Sequence, residues 1–222
     1  QKTSILATLS FFKNSSMENV YFEGIDKISP DDIDYGKQLN FVLKPLSVGM
    51  QNKDQITLGS FPAFVKTDSL LASIQNENNA VLVNAENVGG TMYSGPGAGA
   101  KPTANSVLSD VIDIARGKIF DYEKFVQQDL SSSFDNFSCD RYLKLQVNDK
   151  PGVVAKISTL LAKNNLSIDN LIQKELERSD DQIPLVIVLS NSDETTIQET
   201  VKELEALDEV SGPLTHIRIL DI

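Results

Sequence analysis

The chain has 222 residues, 41% hydrophobic and 23% charged, and its 20 Lys and Arg against 31 Asp and Glu leave a formal charge of −11. With no local basic cluster to offset it, that balance excludes nucleic acid and an anionic membrane surface as partners. One cysteine, Cys139, excludes an internal disulfide framework and fits a reducing, cytoplasmic setting, while one histidine, His216, leaves no His-based metal site, so no metal is expected.

No apolar run reaches the roughly 18 residues of a membrane span, and the N-terminus lacks a signal-peptide layout. The chain opens on Gln1 rather than Met, and Ile5, Leu6 and Leu9 already mark a helix face, so it reads as a piece of a longer polypeptide. Next, Ser29-Pro30-Asp31-Asp32 predicts a helix start, with Ser29 as cap, Pro30 presetting φ and two carboxylates at the positive end of the dipole. That helix runs to about Asn40. Phe41 to Leu43, Gln55 to Leu58 and Ala80 to Val83 are predicted strands, and Thr67-Asp68-Ser69 opens a short helix carrying Leu70, Leu71 and Ile74.

The run from Tyr93 to Ala104 concentrates small residues ahead of a helix predicted from Pro102. In that helix Val107, Leu108, Val111, Ile112 and Ala115 recur at helical spacing, and Gly117 is the stop. Glycines there admit close backbone approach, and a helix N-terminus offers N–H groups to an anion. Gly95-x-Gly97-x-x-Ala100 formally fits the dinucleotide fingerprint. A Rossmann unit, however, needs a second parallel strand with an acidic end after the helix, and Phe120 onward supplies neither; a structural glycine loop is the plainer local reading.

Phe120 to Ser138, with Gln127-Gln128 and Ser131-Ser132-Ser133, reads as a linker, with a domain boundary near Ser138. Beyond it Leu143, Leu145 and Val147 alternate as a strand, Asn148 to Gly152 turns, and Val153, Val154, Ile157, Leu160 and Leu161 form a helical stripe. Ser167 to Lys174 and Leu185 to Leu189 are strands, Ile197, Val201 and Leu204 a helix, and Leu214 to Leu220 a closing strand. The order β-α-β-β-α-β is the ferredoxin-like arrangement, with two helices on one face of a four-stranded antiparallel sheet.

Taken locally, Lys2 reads as a solvated surface charge and Glu23-Gly24 as a turn with an exposed carboxylate. Asn148-Asp149-Lys150-Pro151-Gly152-Val153 is either a capped tight turn or an amino-acid site, in which helix N–H groups take a carboxylate and Asn148 or Asp149 an ammonium group. No Ser-His-Asp or Cys-His arrangement is available, and Asp180-Asp181 reads as a solvated loop.

Phe22-Glu23-Gly24-Ile25, then Asn79 to Val83 running into Val88-Gly89, then Gly95-x-Gly97-Ala98-Gly99-x-x-Pro102-Thr103-Ala104 with Asp110, resemble in order the catalytic and C-terminal part of bacterial homoserine dehydrogenases. Residues 141–222 resemble an ACT domain through Asn148 to Val153 and Leu166 to Gln173. The resemblance implies an α+β chain, with a mixed-sheet substrate and dimerisation domain at 1–118, a linker at 119–138 and a ferredoxin-like βαββαβ ACT domain at 139–222. It implies interconversion of aspartate semialdehyde and homoserine with NAD(P), threonine as effector, and a homodimer. By the same resemblance Lys2 is the catalytic acid-base, and Gly95, Gly97, Ala98, Gly99 and Thr103 lie beside the cofactor. Asn148, Asp149, Gly152 and Val153, with Ile168 and Asp169 of another copy, bind effector. NAD(P) would be held mainly by an N-terminal domain absent here, so the chain alone is expected to be inactive. The rival expectation is a non-catalytic amino-acid-binding regulatory protein whose first domain is a dimerisation scaffold.

Overall fold

The computed structural model describes residues 1–52, 55–118, 126, 128–173 and 182–222. The first region comprises α1 (Lys2–Phe11), β1 (Lys13–Asn14), β2 (Tyr21–Phe22), α2 (Pro30–Gln38), β3 (Phe41–Asn52), β4 (Gln55–Lys66), β5 (Asn78–Ala85), β6 (Gly89–Pro96) and α3 (Ala100–Ala115). After β7 (Gln128–Asp129) come β8 (Cys139–Asn148), α4 (Val153–Lys163), β9 (Ile168–Gln173), β10 (Gln182–Ser192), α5 (Glu194–Glu205) and β11 (Val210–Leu220). Lys174 and Asp180-Asp181 lie outside the described residues.

The second set forms the expected ferredoxin-like sheet in the order β11-β8-β10-β9, with antiparallel neighbours throughout. Leu143, Leu145 and Val147 on β8, Leu185, Ile187 and Leu189 on β10, and Ile157, Leu161, Ile197 and Leu204 from α4 and α5 close one buried core. The helical stripes of α4 and α5 meet this apolar face of the sheet and leave their charges on the outer side.

The sheet does not end at β11. Arg218, Ile219 and Leu220 pair in parallel with Ala63, Phe64 and Val65 of β4, which also pairs antiparallel with all of β3 and in parallel with β2. The two regions therefore share one sheet. Its face opposite α4 and α5 is covered from the first region, where Tyr35 of α2 and Phe64 pack on Tyr142, Val186, Val188, Ile217 and Ile219. Buried Asp32, in the capping box of α2, accepts hydrogen bonds from Ser29 and Tyr142 and pairs with Lys144 at 2.8 Å.

Several expectations are corrected. The strands at Phe41 and Gln55 are each 12 residues long and form one hairpin. Residues 119–125 and 127 of the expected linker lie outside the described residues, but Leu130, Phe134 and Phe137 of the same stretch are buried, the phenylalanines stacking with Tyr21 and Phe61. The helix after the glycine run begins at Ala100, two residues before Pro102, because Gly99 takes φ +116° as its cap and proline is tolerated in a first turn. In α1 the apolar Ile5, Leu6 and Leu9 are exposed, and Thr3, Ser4, Ala7 and Thr8 face the sheet. Thr3 meets Ser47 of β3 through its hydroxyl, and the Phe11 ring lies over Gly49, where a Cβ would come within 3.3 Å of it. Among the described residues no helix is long and apolar enough to cross a membrane.

Candidate functional site

Lys2 is the first residue of α1, exposed, and makes no ion pair among the described residues. The helix behind it is fixed. Ser4 Oγ donates to the Gln1 carbonyl at 2.8 Å and Thr8 Oγ1 to the Ser4 carbonyl at 3.0 Å; Thr3 Oγ1 donates to Ser47 Oγ at 3.0 Å, which donates to Ser60 Oγ at 3.2 Å. Lys2 thus carries an exposed ammonium group at the head of a helix that docks on the sheet through Thr3.

Gly95 lies in β6, not in a loop, and among the described residues β6 pairs antiparallel with β5 alone, without the parallel strand of a dinucleotide fingerprint. Gly97 extends the β5–β6 hairpin by one rung, its N–H donating to the Glu77 carbonyl at 2.8 Å. Ala98, Gly99 and Thr103 are exposed, as is every described residue of α3 except Pro102 and Asp113. None of the buried apolar clusters among the described residues includes a residue of β5, β6 or α3. The structure thus does not bring the glycine run into a packed site with Lys2, and Val107, Leu108, Val111, Ile112 and Ile114 stand exposed on α3.

In the C-terminal module Gly152 caps α4 at φ +93°, a conformation that favours glycine, with open space where a Cβ would be. Val153 is buried, Asn148 half-buried and Asp149 exposed. Ile168 and Asp169 begin β9, where Asp169 Oδ1 accepts from Ser190 Oγ at 2.6 Å. One chain does not bring the two groups together: Asn148 is level with Gln182 and Ile168 with Leu189, seven positions apart along β10, or roughly 23 Å at about 3.3 Å per residue.

The sequence reading missed a buried charge cluster. Arg141 and Arg218, fully buried, stand opposite each other on β8 and β11. Glu194, the first residue of α5, accepts from Arg141 Nη1 at 2.8 Å and from Arg218 Nε at 3.2 Å. Arg218 also donates to Glu23 at 2.6 Å and to the Tyr21 hydroxyl at 3.0 Å, and its guanidinium lies 4.8 Å from the Tyr21 ring and 4.6 Å from that of Phe61. Desolvation opposes the Glu194 charge, yet Arg218 and Arg141 hold its carboxyl below the usual range. The signal was present: Arg141 shares a phase with Leu143, Leu145 and Val147, so a charge sits on the inward face of an apolar strand.

His216 lies two residues before Arg218. Burial, with Arg218 and Arg141, pushes its imidazole down to about 3, so the unfolded chain takes up a proton below about pH 6.5 that the folded chain refuses. Stability therefore falls as pH drops from about 6.5 towards about 3, a loss that begins before the carboxylates titrate. His216→Gln is expected to flatten the loss of thermal midpoint between about pH 7.5 and about pH 5; an unchanged slope in scanning calorimetry would count against it.

A family model described as homoserine dehydrogenase matches residues 1–112, and one described as ACT domain matches residues 141–209. The chain is 35% identical over 228 residues to a homoserine dehydrogenase of Pseudomonas aeruginosa and 34% identical over 221 residues to one of Helicobacter pylori, in each case covering 98% of this chain and 52% of the relative. A solved homoserine dehydrogenase from Thiobacillus denitrificans superposes with a TM-score of 0.87 at 30% identity, covering 99% of this chain and 52% of that one. The chain spans about half the length of the curated relatives it matches.

Proposed function

The chain belongs to the homoserine dehydrogenase family and carries an ACT domain, and on that premise we propose that it is the substrate-side and regulatory half of a cytoplasmic, NAD(P)-dependent enzyme interconverting L-aspartate 4-semialdehyde and L-homoserine. The observation that carries this reading is Lys2, an unpaired amine on a helix anchored by Thr3, Ser4 and Thr8. Lys2 gives a proton to the substrate oxygen in reduction and takes it back in oxidation. NAD(P), when bound, supplies or accepts the hydride. Gly95, Gly97, Ala98, Gly99 and Thr103 fit a surface beside it: a Cβ at Gly95 would meet nothing within 4 Å, and the others are exposed. The test is a homoserine oxidation assay on the chain alone and joined to a nucleotide-binding half. Activity only in the joined form is expected, and turnover by the chain alone would overturn the division of labour.

The ACT domain, on this reading, binds threonine between two copies. A two-fold axis that pairs β9 antiparallel with its copy sets Ile168 and Asp169 of one chain beside the Gln173 end of the other, the end nearest Asn148 to Val153. A homodimer thus supplies a composite site that one chain lacks. Gly152→Ala strains the left-handed cap and is expected to weaken threonine binding about tenfold or more; equal affinity in isothermal titration would remove the loop from the site.

A further inference from the structure

The buried charge cluster joins two places that the proposed function separates, the effector module and the helix that bears Lys2. From the module side, Asp169 accepts from Ser190 Oγ on β10, and two residues on, the Ser192 carbonyl accepts from Arg141 Nη2 at 2.8 Å. Between Leu189 and Ser192 the register of β10 on β8 shifts, and Arg141 Nε and Ser192 Oγ are buried with no hydrogen-bond partner among the described residues. Two of the three buried side-chain polar atoms left without a partner among the described residues thus meet at this joint, the third being His216 Nε2, and such a place is one where a second arrangement lies close in free energy.

From Arg141 the connection passes through Glu194 to Arg218, and from Arg218 out of the module to Glu23 and Tyr21. The Glu23 amide donates to the Ser60 carbonyl at 3.0 Å. Ser60 Oγ closes the hydroxyl row that runs through Ser47 to Thr3, the residue after Lys2. Arg218 is the only described residue of the module that hydrogen-bonds to Glu23 or Tyr21 through its side chain.

We propose that Arg218 is a positioning residue that couples the ligand state of the ACT domain to the helix carrying Lys2, through its simultaneous hold on Glu194 in the module and on Glu23 and Tyr21 outside it. The effector part rests on the reading of threonine as ligand. Arginine suits the task because its planar fork serves several partners in fixed directions while its face stacks on Tyr21 and Phe61. Lysine at the same place would keep the charge and lose the fork.

The test follows amide exchange in the full chain, on peptides covering residues 2–11 and 19–25, with and without millimolar threonine. The same samples are titrated by calorimetry so that binding is scored separately. In the unsubstituted chain threonine is expected to change exchange in both peptides by about threefold or more. In Arg218→Lys threonine binds with unaltered heat and the change is lost, and in Glu23→Gln, a milder substitution at a half-buried position, it is reduced. Binding heat without any change at residues 2–11, or a change that survives in Arg218→Lys, overturns the coupling. If threonine gives no heat, the effector reading fails by itself, and the coupling is decided without ligand. Asp169→Asn then alters exchange at residues 19–25 only while Arg218 is present if the proposal holds, and leaves it unaltered in both backgrounds if it does not.

Discussion

Glu194→Ala is expected to lower the thermal midpoint by about 6 to 20 °C, more than any other single substitution of a side chain in the polar interior. Glu194 is the carboxylate shared by Arg141 and Arg218, which face each other at paired positions of adjacent strands. Removing it leaves two buried guanidinium groups in like-charge opposition, and stranding a buried charge costs about 3 to 5 kcal/mol. For a chain of this size each kcal/mol moves the midpoint by about 2 to 4 °C. Glu203, an exposed partner of Lys163, serves as control, and Glu203→Ala should leave the midpoint where it was. Scanning calorimetry on the two variants decides the matter; equal midpoints would mean that water reaches the cluster and screens it. The acid limb carries a second check. Because the Glu194 carboxyl is held below its usual range, its stabilisation is complete above about pH 4.3 and lost as pH falls through the lowered value. That loss sets in about two pH units below the onset of the His216 loss.

The second large effect is catalytic. In a polypeptide that joins a nucleotide-binding half to this chain, Lys2→Met is expected to lower kcat by about 10² to 10⁴, the range that general acid-base groups supply. KM for homoserine should change far less, because the amine acts on the proton in flight. Lys2→Arg keeps the charge, but a guanidinium stays protonated and cannot take part in proton exchange, so it should be nearly as impaired. A Lys2→Met enzyme within about threefold of the parent kcat would place the acid-base elsewhere. Because Lys2 is exposed at the head of α1, neither substitution should move the thermal midpoint, which separates this loss from that of Glu194→Ala.

Local signals carried the reading of the C-terminal module. Leu143, Leu145 and Val147 alternate, the stripe Val153 to Leu161 has helical period, and the β-α-β-β-α-β order of the elements itself names the sheet they build, so pattern and contact agree. The fusion of the two regions left no such trace. β4 and β11 pair in parallel across some 155 positions, and nothing in the alternation of either strand names its partner. The stretch from Leu130 to Phe137 misled for a related reason: serines and isolated aromatics look like a linker until Tyr21 stacks on Phe134 and Phe61 meets it edge-on. α1 misled in the opposite direction, because its apolar residues were visible and the hydroxyl face that docks on Ser47 was not weighed. The Lys2 assignment came from resemblance; periodicity alone treats an N-terminal lysine as a surface charge.

An isolated ferredoxin-like sheet has two open lateral edges, and modules of that kind can add neighbours on both sides. Here β4 occupies the β11 side, so β9 is the module's one open edge among the described residues. Two copies that meet along β9 use up that edge in both, and lateral growth through the module stops at a closed pair instead of continuing into a fibre. The same occupied edge bears on any attempt to relieve the proposed feedback by excision. Cutting the module away would strip Ala63, Phe64 and Val65 of their strand partner and open a raw sheet edge in the half that remains. Desensitised variants are therefore to be sought by substitution within an intact chain, not by deletion.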